Sequence, residues 1–89
     1  MDIEQLITIL KTRIGISTTS LDDYLETVVN STIKELEEEN GISINLENIN
    51  QAMFIVDYST WRIENKGEQN AMPEHLRQRL RNLFVHYGG

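Results

Sequence analysis

Side chains able to do chemistry are few in this chain, and they are scattered. His75 and His86, its only histidines, lie eleven residues apart. On one helix they would share an azimuth but sit about 16 Å apart along the axis. Metal ligands lie about 2 Å from their metal, so the two cannot hold one ion within a helix, and both read as surface residues. Asp57 beside Tyr58 reads as a helix-face acid bonded to a tyrosine or, better suited to an aromatic-rich helix, paired with an arginine. Arg62 and Arg77 are the candidates. No nucleophile–base pattern, glycine-rich phosphate loop or metal-ligand cluster is present. The chain has no cysteine, which removes disulfides and thiolate zinc sites. No catalytic residue, metal or cofactor is expected, and an enzyme is not.

The remaining chemistry is charge. In NAMPEHLRQRL, residues 70–80, the only proline is followed by Arg77 and Arg79, with Arg81 just beyond. On a helical wheel Leu76, Leu80, Leu83, Phe84 and Tyr87 form an apolar stripe, and Arg77 and Arg79 flank it on opposite sides. A DNA-reading helix needs basic and amide groups converging on one side. Arginines beside a leucine stripe instead lay their stems over apolar surface and meet carboxylates at its rim.

At the other extreme, Glu35, Glu37, Glu38 and Glu39 crowd the end of a helix, where the macrodipole disfavours anions. They read as a solvated acidic face or as an end turned into a space where negative charge is useful. Residues 1–50 carry ten acids and three bases, whereas residues 51–89 carry four and five. Bulk attraction to DNA is not expected from a chain of net charge −6.

These groups must be positioned by helices. Eighty-nine residues make one domain, residues 1–89, with a core small enough that association would help stabilise it. Asp2 caps a first helix carrying Ile3, Leu6, Ile7, Leu10 and Ile14, and Gly15 stops it. Ser20-Leu-Asp-Asp23 resembles a capping box for a second, which runs to Asn40-Gly41. Residues 42–46 read as a short extended connector. A third helix begins near Asn48 with two apolar stripes: Ile49, Ala52, Met53, Val56, Thr60 and Ile63 on one side, Phe54, Tyr58 and Trp61 on the other. A helix apolar on two sides is central to its bundle or shared with a neighbour. After a polar loop over residues 65–70, Pro73 fits the first turn of the last helix. The expectation is an all-α fold, a small bundle of about four helices joined by short loops. The start of the chain does not look like a signal peptide, and no apolar run nears the roughly 20 residues of a membrane span. A soluble, cytoplasmic protein is expected.

Three stretches, LKTRIGIS, SLDDYLETVVNSTIKELEEENG and VDYSTWRIENKGEQNAMPEHLRQRLRNL, together resemble the tailed-phage head–tail connector family, also called head-completion or adaptor proteins. The turn at Ile14-Gly15-Ile16, the segment DYSTWRIENKGE and the entry Met72-Pro73…Leu76 carry the likeness. The family usually has leucine before that glycine, where this chain has Ile14. The resemblance implies an all-helical virion protein of the phage neck, made in the host cytoplasm. Its copies form a ring under a dodecameric portal, extend the DNA exit channel and offer a surface to the next neck or tail component. DNA passes without sequence-specific binding. Within that frame Phe54, Tyr58 and Trp61 are candidates for the subunit interface, Arg77, Arg79 and Arg81 for portal docking, and Glu35, Glu37, Glu38 and Glu39 for a channel-facing acidic surface. The alternatives are a small helical DNA-binding regulator and an interaction protein with a single partner.

Overall fold

Helix α1 (Ile3–Ile14) begins where the Asp2 side chain accepts from the Gln5 amide while the Gln5 side chain accepts from the Asp2 amide, a complete capping box. It ends at Gly15, which takes the left-handed conformation, φ 77°, and returns its N–H to the Lys11 carbonyl. The structure, a computed structural model, describes residues 1–66 and 71–88. Its other helices are α2 (Asp22–Glu38), α3 (Ile49–Glu64) and α4 (Glu74–Tyr87). The expected all-helical bundle is what the chain forms.

Two helix starts differ from expectation. The Ser20 box does not form: α2 begins at Asp22 behind Leu21, which has no capping side chain. Ser20 instead shares a hydrogen bond with Thr18, and Asp22 is drawn to Lys11 of α1 at 2.8 Å. Pro73 stands just before α4 rather than in its first turn. Asn48 does cap α3, accepting from the amides of Asn50 and Gln51.

Helices α1, α2 and α3 each touch the other two, whereas α4 packs on α3 alone. Helix α3 is therefore the centre, burying Gln51, Ala52, Phe54, Ile55, Val56, Tyr58 and Ser59. Leu6 and Leu10 of α1, Leu25, Val29 and Leu36 of α2, and Leu76 and Leu83 of α4 complete the core around it. Burial of such aliphatic side chains, about 1.5–3 kcal/mol each, is the main favourable term.

The connector over residues 42–48 straps these parts together. Ile42 is buried and forms an isolated antiparallel bridge with Gly88, and the Ser43 amide donates to the Tyr87 carbonyl. Gln51, 1% exposed, accepts from the Asn45 amide at 2.7 Å and donates to the Ser43 carbonyl at 3.2 Å. Asn48 donates to the Tyr87 hydroxyl at 2.7 Å. One loop thereby ties α3 to the end of α4.

Candidate interaction surfaces

The aromatic stripe resolves into core. Phe54 is wholly buried and Tyr58 nearly so, and only Trp61 is half-buried. Their rings form a ladder along α3, with centroids 5.8 Å apart for Phe54–Tyr58 and 6.2 Å for Tyr58–Trp61. Phe54 and Tyr58 thus have no ring face to offer a neighbouring subunit, which corrects the subunit-interface assignment for those two. The small bundle needs their area for itself.

Asp57 finds neither Arg62 nor Arg77. It accepts from Arg13 of α1 at 2.5 Å and from Arg79 of α4 at 2.6 Å. Arg79 also lies over the Phe54 ring at 5.4 Å. One carboxylate on the central helix thereby anchors α1 and α4, which do not otherwise pack together. This takes Arg79 out of the portal-docking group, because its guanidinium is already paired with Asp57. Arg62 turns the other way, donating to Thr32 of α2 and covering the Tyr58 ring at 5.5 Å.

The acidic cluster divides as well. Glu35 is half-buried and hydrogen-bonded to Tyr58, so it belongs to the α2–α3 seam rather than to an open acidic surface. Burial and then Glu35 raise the Tyr58 phenol from 10.0 to about 12. Thr32 and Ser59, both fully buried, bond to each other in the same seam at 3.3 Å. Glu37, Glu38 and Glu39 are exposed.

What remains outside α4 is a mixed stripe. Arg77, Arg81, Phe84 and Val85 are exposed and lie within about 100° of one another on the wheel. Phe84 and Val85 leave 54% and 69% of their surface in solvent, unusual for large apolar side chains side by side. Arg81 has no ion-pair partner among the described residues, and Arg77 lies 3.9 Å from Glu74 and donates to the Met72 carbonyl at 3.5 Å. Behind the stripe, Gly88 lies close to Phe84. A Cβ placed there would run into the Phe84 carbonyl oxygen and come within 2.8 Å of its ring.

A second exposed apolar pair, Leu21 and Tyr24, lies at the start of α2, at 43% and 37% exposure. Beyond it lies a shallow cleft of about 230 Å³ lined by Tyr24, Thr27, Val28, Ser31, Arg62 and Ile63. Both histidines sit exposed on α4, as expected. No helix among the described residues is long and apolar enough to cross a membrane. No protein-family model, curated protein or solved structure matches this chain.

Proposed function

We propose that this protein is a structural head–tail connector of a tailed phage, a ring-forming adaptor that sits under the portal and extends the DNA exit channel. The observation that supports this reading is the separation of charge onto two helices that flank α3 without touching each other. Helix α2 has six carboxylates against one lysine, and α4 has three arginines against one glutamate. A subunit with unlike faces on separate flanks suits head-to-tail contacts that close into a ring. Arg77 and Arg81 are the exposed cations of α4 that a neighbouring component would meet. Glu37 and Glu39 belong to the acidic surface past which DNA would slide, since weak repulsion keeps phosphates from sticking. The protein's role is assembly rather than catalysis, in the virion neck.

A DNA-reading role for α4 has less to support it. Arg79 folds inward onto Asp57 while Arg77 and Arg81 point outward among apolar side chains, so no basic face converges.

Mass photometry and negative-stain imaging test the proposal, on the purified chain alone and mixed with the portal ring of the same phage. Closed rings of chain, free or seated on the portal, are expected. Failure to bind the portal and failure to form rings together would overturn it.

A further inference from the structure

We infer that the outward stripe of α4 docks on the outward face of α2 of a second copy, antiparallel, with Phe84 and Val85 over the Tyr24 cleft and Arg77 against Glu38. This rests on the ring reading above and names the partner of its exposed arginines.

The two surfaces match in pattern and, where Arg77 meets Glu38, in charge; between the ends the same register brings Arg81 near Lys34. With Tyr24 at zero on the wheel, Thr27, Ser31 and Glu38 all fall within about 60°. The face therefore runs from exposed apolar Leu21 and Tyr24, through a shallow cleft at small Thr27 and Ser31, to Glu38, which has no ion-pair partner among the described residues. The α4 stripe runs from base to apolar: Arg77, Arg81, then Phe84 and Val85. Seven residues separate Arg77 from Phe84, and seven separate Ser31 from Glu38. Both intervals are about 10 Å on a helix, so one antiparallel register satisfies both ends together. A parallel register would set Arg77 beside the cleft and Phe84 beside Glu38.

Two of the cations near the cleft are already engaged, while exposed Lys34 stands four residues before Glu38 and about 40° from it on the wheel. Arg62 bonds to Thr32 and Lys66 lies over the Tyr24 ring at 5.1 Å. Neither competes for Glu38, and Val28 and Ile63 give Phe84 apolar surface in the cleft. Glu37 lies about 100° further round α2, outside the contact, and stays free for the channel.

Because α2 and α4 stand on separate flanks of one copy, the contact cannot be satisfied within it. Each bound copy presents a fresh α2 and a fresh α4, so association continues until the ring closes.

Charge reversal reads the contact directly. Arg77→Glu and Glu38→Arg are exposed changes, and circular dichroism and melting of the isolated chain should not move. Each single variant should weaken association, followed by mass photometry over a concentration series, by about tenfold or more. An equimolar mixture of the two should restore it, because each variant supplies the charge that the other lacks. Val85→Asp should abolish association with the fold intact.

Rings that persist unchanged in both single variants would overturn this contact while leaving the ring reading in place. A mixture that associates no better than its components would overturn the pairing of Arg77 with Glu38. Wild-type chain that stays monomeric at every concentration would overturn the contact as well, since it should form unaided.

Discussion

Tyr58 shows how far a single side chain can bind its chemistry to the fold. Burial first, and then the hydrogen bond and negative charge of Glu35, raise its phenol from 10.0 to about 12 against the opposing pull of Arg62. The folded state therefore favours the neutral phenol more than the unfolded chain does. That contribution is fully present below about pH 10 and is lost as pH rises through about 12. Alkaline titration followed by tyrosinate absorbance should show one tyrosine ionising late, together with unfolding. In Tyr58→Phe the stability loss across this window should shrink, and an unchanged alkaline profile would contradict the assignment. Asp57 is the second residue with reach beyond its own helix. Asp57→Ala should cost about 1–3 kcal/mol in urea unfolding, because two arginines lose their shared acceptor. The lower end is expected, as Arg13 and Arg79 are 43% and 38% exposed and water screens them.

Among the elements, what was legible in the sequence was local. Asp2, Gly15 and Asn48 announce helix ends because a cap acts within a few residues of itself, and the structure keeps all three. The two stripes of α3 leave it either central to the bundle or shared with a neighbour, and the packing of the other three helices on it makes it central. The candidate sites were less legible for a physical reason. Helical periodicity says which face a residue occupies, not which helix approaches that face. Arg13 and Asp57 are 44 residues apart, and nothing near either one signals the pairing. Gln51 is illegible for the same reason: it stands three residues after Asn48, as a capping box requires, yet its side chain leaves α3 to hold the connector. Gln51→Ala should cost about 1–3 kcal/mol by leaving two backbone groups of the connector without partners. Hydrogen exchange at the Asn45 amide should quicken before that in α1 does. Equal protection of Asn45 in the variant and the parent would show that Gln51 does not hold the strap.

For the whole molecule, the uneven charge has a measurable reach. Contact between an acidic and a basic flank is screened over about 8 Å at physiological ionic strength and over about 3 Å at 1 M. Ring assembly should therefore weaken from low to high salt, while the melting temperature of the isolated copy changes little. Assembly that strengthens steadily with salt would point to an apolar contact that makes no use of Arg77 or Arg81. The close approach of Gly88 to Phe84 then bears on how readily copies meet. The Phe84 ring leans over bare glycine backbone at the end of α4, and a methyl group at that position would displace it. Immobilising a side chain on binding costs about 0.5–1.5 kcal/mol, so the space that Gly88 leaves open to the Phe84 ring matters to any contact made there. Only a glycine lets the ring lie there, so a larger residue at position 88 would change the direction in which Phe84 faces the solvent.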